Sequence, residues 1–325
     1  SQTASDEEEG WRYTQGDKSA RRPPELLTRD HVARCIRREV REGRGSPHGG
    51  IFLDISWISK KLQNAEEHIK RKLPSMYHQF KELADIDITK EPMEVGPTTH
   101  YVMGGVLVDA DTQMSTVPGL FAAGECAAGI NGANRLGGNS LSDLLVFGKL
   151  AGDHAAEFVR GPGRQRPTLD PDQIEAATRA ALEPFEHRDG EPAYAVQRDL
   201  QELMQDHVGI VRTGSEMSHA LEAIAGLRAR AARAGVTANR DYNPGWHTAL
   251  DVQNLLDVAE AVTRSALERT ESRGGHYRED FPGKDADWGQ QSVCVQRGPD
   301  GAIQLSRRPI PQMPAELRRI IQENQ

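Results

Sequence analysis

The sequence predicts a mixed architecture, α/β plus α, in which a segment of short strands and turns precedes an antiparallel helical bundle. Three observations carry this. Residues 94–125 read "EVGPTTHYVMGGVLVDADTQMSTVPGLFAAGE", short apolar or β-branched runs punctuated by Gly and Pro, as expected of buried strands and tight turns in an α/β core. Three or four long stretches nearer the C-terminus carry apolar residues at helical spacing. The clearest runs from His247 to Thr270, where Val252, Leu255, Leu256, Ala259 and Val262 form one stripe. Between the two regions, "RGPGRQRP" (160–167) has no apolar period and marks a domain boundary.

Residues 1 to about 27 are polar. The opening "SQTASDEEEG" has no initiator Met and reads as a loop in mid-protein, so a preceding segment is expected, although an acidic solvated tail fits the composition equally well. In "TRDHVARCIRREVREGRG", Val32, Cys35, Ile36 and Val40 recur at helical spacing and Gly43 and Gly45 end the run, which predicts an amphipathic helix. "GGIFLDIS" predicts a short strand, followed by a helical stretch from Asn64 to Lys72, Pro74, and another through "SMYHQFKELADI". A further helix is expected from about Ser140 to Val159. Near the C-terminus, "SVCVQRGPDGAIQL" places two alternating runs around Pro299-Asp300-Gly301, a hairpin signal.

Composition narrows the function classes. A chain of 325 residues, 37% hydrophobic and 27% charged, suits a soluble globular protein of more than one domain. Its net charge of -8 argues against a nucleic-acid partner, which usually selects a clustered basic excess. No apolar run approaches the roughly 20 residues needed to cross a bilayer, and the N-terminus lacks the basic and apolar regions of a secretory signal. Docking on a membrane partner stays open. Cys35, Cys126 and Cys294 lie far apart and form no C-x-x-C, which disfavours a disulfide framework, a metal site or an iron–sulfur site and makes a reducing compartment the default. Neither a G-x-G-x-x-G, a phosphate-binding P-loop, an H-E-x-x-H nor a G-x-S-x-G occurs.

The stretch richest in chemistry is "NGANRLGGNSLSDLLVFG" (131–148). Ser140 and Asp143 stand in S-x-x-D spacing, which predicts a capped helix start near Ser140. Leu141, Leu144, Leu145 and Gly148 share a face, and Gly148, Ala151, Gly152 and Ala155 allow close backbone approach, so the helix is expected to be buried. Gly137, Gly138 and Asn139 before it leave backbone N–H groups open at the positive end of a helix dipole, a place suited to an anion or an electron-rich carbonyl. A glycine turn feeding a core helix is the bland alternative. Arg135 weighs against it, because a guanidinium beside a buried helix start needs a carboxylate or phosphate, and its planar fork fits a carboxylate bidentately. His100, in "TTHYVMGG", adds a second polar group; alone, it reads more readily as a hydrogen-bonded core histidine.

"THYVMGG", "VPGLFAAGE", "GANRLGGNSLSDLLVFGKLAG" and "ESRGGHYREDFP" resemble, in that order, the flavoprotein subunit of succinate dehydrogenase and fumarate reductase. "RDHVARCIRREVREGRG" and "MQDHVGIVRTG" are also similar, and "RRPPELL", "SPHGGIFLDIS" and "PTTHYVMGG" point toward an actinobacterial type. The resemblance covers nearly the whole chain. It implies FAD as cofactor and interconversion of succinate and fumarate by hydride transfer between a substrate carbon and flavin N5. His100 and Arg135 match the family's carboxylate-clamping histidine and arginine. Glu125 matches an FAD-binding glutamate, and Asn139, Ser140 and Leu141 fall where the family's backbone meets the flavin.

The resemblance also implies an organisation: 1–95, the remainder of a capping domain; 96–162, the closing half of a Rossmann-like FAD-binding domain; 163–272, the helical bundle; 273–325, a C-terminal segment with the hairpin. It implies that electrons pass to an iron–sulfur subunit, that a membrane anchor subunit is reached through the complex, and that the protein lies in the cytoplasm on the inner face of the cell membrane. Two features depart from the family. Asn131 stands where the family usually has the histidine of H-G-A-N-R. The ADP-binding fingerprint, the histidine that carries FAD covalently and the proton-transfer arginine have no match in this sequence, so no catalytic residue is expected here and they are expected upstream. Two alternatives remain: an L-aspartate oxidase-like flavoenzyme, against which "RLGGNSL" and "ESRGGHYREDFP" argue, and a non-catalytic half serving only as an interaction module.

Overall fold

A computed structural model describes residues 9, 11–13, 15–17, 19–20, 28–161 and 168–323. The readings placed on residues 1–8, on "RRPPELL" and on residues 162–167 of the boundary stretch lie outside the described residues. The chain divides into two compact units, Ser1–Tyr101 and Val102–Gln325.

In the first unit, helix α1 (Arg29–Arg41) forms where the amphipathic run predicts it, with Asp30 in its first turn and Arg38 and Arg41 in its last, charges that complement the helix dipole. It stops at Gly43, whose φ of 75° suits a residue without a side chain. Strand β1 (Ile51–Leu53) pairs antiparallel with β2 (Met93–Val95), Phe52 opposite Glu94. Helices α2 (Ala65–Lys72) and α3 (Pro74–Ala84) lie between them in sequence, α3 opening on a proline whose missing N–H would have been unpaired anyway. Ile69, Ile88 and Met93 are the buried centre of this unit, with Ile58, Tyr77 and Phe80 packed around them.

The second unit opens differently from expectation. Residues 102–127 form isolated bridges, Val106 to Ala127, Val108 to Ser115 and Met114 to Phe121, in place of the expected buried strands. Val102, Val106, Leu107, Val117 and Leu120 are exposed. Apolar runs signal burial only when other elements cover them, and the pairings made within this segment are too short to close a sheet.

Helix α4 (Asn139–Arg160) follows, and it too departs from the reading of a buried helix. Only Ser140 and Asp143 are buried, while Leu141 is 70% and Leu145 77% exposed. Its neighbour is the short 3-10 turn Gly124–Cys126: Leu144 lies so close to Gly124 that any Cβ there would collide with it, and Phe158 meets Phe121 edge to face at 5.8 Å. The small residues at 148 and 152 face open space.

The helical part matches its sequence pattern. Of helices α5 (Pro171–Leu182), α6 (Ala193–His207), α7 (Gly214–Ala231) and α8 (Pro244–Glu268), all but α6 start at a side-chain cap. Asp170, Thr213 and Asn243 accept from the N–H groups of Asp172, Glu216 and Trp246, and Thr213 also donates to the Glu216 carboxylate at 2.9 Å. Val196, Ile224, Leu227, Val252 and Leu256 form one buried cluster, and Val208, Met217, Ala220 and Ala266 a second. These clusters join the start of α6 to the end of α7 and the start of α8, then reverse at the other end, so α7 runs antiparallel to both neighbours. Strands β3 (Gln291–Arg297) and β4 (Ile303–Pro309) form the expected hairpin, with Val293 opposite Arg307 and Gly301 at φ 80° in its turn. A terminal helix, α9 (Ala315–Glu323), was not expected.

Candidate functional site

The Arg135 loop sits between a residue of backbone freedom and a helix start. Gly129, Gly132 and Gly138 have φ of 103°, 55° and 85°, values that side-chain-bearing residues rarely adopt. The left-handed Gly138 is the residue before α4, and no side chain caps the helix. This corrects the expected Ser140–Asp143 capping box. Ser140 is already the second residue of the helix, too far inside to act as the cap, and the Asp143 carboxylate instead accepts from Asn131 Nδ2 at 3.3 Å. Asn131 therefore ties the loop to the first turn of α4.

The predicted cofactor residues gather at this helix start. The Ser140 hydroxyl is buried with no hydrogen-bond partner. Asn139 and Leu141 flank it, both exposed. A methyl group added to Gly132, Gly137 or Gly138 would meet nothing within 4 Å, so the space beside these glycines is open. An unpartnered buried hydroxyl, backbone amides at a positive helix end without a side-chain cap, and uncrowded glycines suit an anion or an electron-rich carbonyl. Glu125 lies on the neighbouring 3-10 turn, where its carboxylate accepts from the Val102 N–H at 2.9 Å. Arg135 is half-buried in the loop.

His100 belongs to the first unit, near its end, and Arg135 to the second. The histidine is exposed, in a segment without regular structure, with its ring 6.5 Å from that of Tyr101 at 23°. The expectation of a polar group inside an apolar strand is thus corrected: no strand forms there.

Sequence reasoning missed the support of the Arg135 loop. "ESRGGHYREDFP" (271–282) folds beside it, and the Gly275 N–H donates to the Ala133 carbonyl at 2.9 Å. This segment holds unusually buried charge. Arg278, 2% exposed, makes a two-pronged pair with Asp280, 2.8 Å to each oxygen, and donates to the carbonyls of Ala266, Leu267 and Arg269 at the end of α8. That guanidinium holds the Asp280 carboxyl down to about 2. Glu271, fully buried, accepts from Arg269, from Arg273 twice and from the Asp285 N–H. Burial opposes its charge, but these hydrogen bonds prevail and set its carboxyl at about 2. The signal in the sequence was the density of paired charges around two adjacent glycines.

A family model described as FAD binding domain matches residues 6–141, and another described as fumarate reductase flavoprotein C-term matches residues 197–320. Together they define an FAD-binding flavoprotein with a C-terminal helical domain. The succinate dehydrogenase flavoprotein subunit of Coxiella burnetii is 36% identical, over 84% of this chain and 48% of its own length. The fumarate reductase flavoprotein subunit of Mycobacterium tuberculosis is 34% identical, over 93% of this chain and 54% of that protein. Among solved structures, Mycobacterium smegmatis Sdh1 in complex with UQ1 superposes with a TM-score of 0.78 at 50% identity, covering 90% of this chain and 48% of that one. The chain belongs to the family of flavoprotein subunits of succinate dehydrogenase and fumarate reductase. It spans about half the length of the curated relatives it matches.

Proposed function

We propose that this chain forms the substrate-clamping and flavin-cradling half of a flavoprotein that interconverts succinate and fumarate. The observation that carries the reading is the start of α4, where glycine-lined open space, unpartnered Ser140 and positive helix-end amides meet beside half-buried Arg135. Segments 1–95 and 96–162 serve as the remainder of a capping domain and the closing half of a Rossmann-like FAD domain, followed by the bundle at 163–272 and the hairpin segment at 273–325.

Glu125, Asn139, Ser140 and Leu141 would hold FAD, which when bound accepts or supplies a hydride at its N5 atom. The positive helix end would stabilise negative charge that develops on the bound cofactor. Arg135 grips one substrate carboxylate in a fork of two N–H groups and so fixes the reacting carbon. By the family resemblance His100 is a further substrate-binding residue. Electrons leave to an iron–sulfur subunit, and a membrane anchor subunit holds the complex at the cytoplasmic face of the cell membrane. No helix among the described residues is long and apolar enough to cross a membrane.

Arg135→Ala in the full-length protein tests the reading. Succinate oxidation and fumarate reduction fall to background while the flavin absorbance band is retained, since only the carboxylate clamp is lost. Undiminished turnover in that variant would refute the assignment, and oxidation of aspartate by the wild-type protein would move it to an L-aspartate oxidase.

A further inference from the structure

We infer that Gly274 is a positioning residue for the Arg135 loop: its missing side chain lets a rigid turn press against Ala133 and hold that loop in place. The inference rests on the proposed role of Arg135.

The loop needs an external restraint. Three of its glycines adopt positive φ, and glycine has little intrinsic preference among backbone conformations, so the loop's own glycines do not fix its path. Besides the Asn131–Asp143 hydrogen bond, a restraint comes from more than 130 positions away in sequence. Arg273 and His276 exchange backbone hydrogen bonds of 2.8 and 3.1 Å, closing a tight turn with Gly274 and Gly275 at its tip. The tip reaches Ala133, two residues before Arg135. The Gly275 N–H holds the Ala133 carbonyl at 2.9 Å, and an ideal Cβ on Gly274 would collide with that same carbonyl, far inside the 3.0 Å that real Cβ atoms respect. Backbone, unlike the end of a flexible side chain, cannot step aside without moving the loop.

The turn itself cannot yield. Glu271 and Arg278 are buried, Ser272 Oγ accepts from the Arg278 N–H at 2.8 Å, and Arg278 grips the end of α8. Strain introduced at Gly274 is therefore passed to the softer partner, the glycine loop. Gly275 supplies the control. A Cβ there would lie 3.7 Å from the Ala133 carbonyl, ordinary contact, and it has no positive φ.

The test uses the full-length, FAD-loaded protein. Gly274→Ala is expected to raise the Michaelis constant for succinate on the order of ten- to hundredfold, with flavin absorbance retained and the change in kcat smaller. Gly274→Asn, which tolerates the left-handed backbone but keeps the Cβ, should behave like Gly274→Ala, and Gly275→Ala should stay near wild type. Hydrogen exchange of the peptide covering 128–137 should speed up in Gly274→Ala while α6, α7 and α8 are unaffected. A wild-type Michaelis constant and wild-type loop exchange in Gly274→Ala overturn the inference, as does a wild-type Gly274→Asn. If neither variant folds, the wild-type protein decides: slow exchange of the Gly275 amide supports the contact and random-coil exchange overturns it. Wild-type protein that binds neither FAD nor succinate defeats the proposed function instead, and the exchange measurement still judges the contact.

Discussion

Arg212 donates to Nδ1 of His276 at 3.0 Å, and the opposite ring nitrogen meets the Arg269 carbonyl at 3.1 Å. A guanidinium has no acceptor, so Nδ1 must be the unprotonated nitrogen and Nε2 carries the hydrogen. Burial, joined by the neighbouring Arg212 charge, pushes the imidazole down to about 4. Between the ordinary value of 6.5 and 4 the unfolded chain binds the proton and the folded chain does not, so this stability is complete above 6.5 and declines as pH falls to 4. The loss attributable to His276 is at most about 3 kcal/mol. Urea unfolding at a series of pH values measures it, and His276→Gln, which does not titrate, should flatten that part of the profile. An identical slope in the variant would place the sensitivity elsewhere.

Arg278 is the buried charge on which most depends. Arg278→Met leaves Asp280 without its cation and removes the guanidinium donor from the Ala266 and Leu267 carbonyls of α8, and should cost about 3–5 kcal/mol in denaturant unfolding. Arg278→Lys should recover little of this, because one ammonium cannot span both the carboxylate and the helix end. Recovery to wild-type stability with lysine would show that charge alone matters there.

Leu256 lies fully buried at the centre of the bundle, between α6 and α7. Leu256→Ala should destabilise by about 2–5 kcal/mol, transfer and cavity together. Leu145→Ala, on the exposed face of α4, should shift the unfolding midpoint of this chain hardly at all. Equal losses at the two positions would contradict the burial described above.

His100→Ala in the full-length protein should weaken succinate binding by about 1–3 kcal/mol, the usual loss for a hydrogen bond to a charged group. Steady-state kinetics reports this as a raised Michaelis constant. An unchanged constant would leave His100 with a structural role only.

How much was legible in the sequence differs between regions for physical reasons. The stripe at Val252, Leu256 and Ala259 is buried because α6 and α7 are near it in sequence, and local order suffices to bring them together. The Asp170, Thr213 and Asn243 starts, and the turn at Gly301, are governed by interactions within a few residues. The S-x-x-D spacing at Ser140 misled because Gly138 could take a left-handed conformation and begin the helix earlier. The apolar faces around Val106 and of α4 were read as buried, yet burial depends on partners that a run of apolar letters does not name.

By itself the sequence determined the helical bundle, the starts of α5, α7 and α8, the hairpin and the family. Only the tertiary structure decided that Gly275 would hold Ala133, that Arg278 would close the end of α8, and that His276 would stay neutral. Those depend on residues far apart in the chain meeting at hydrogen-bond distance, and propensity and spacing act over a few residues while such contacts are set by how whole elements pack.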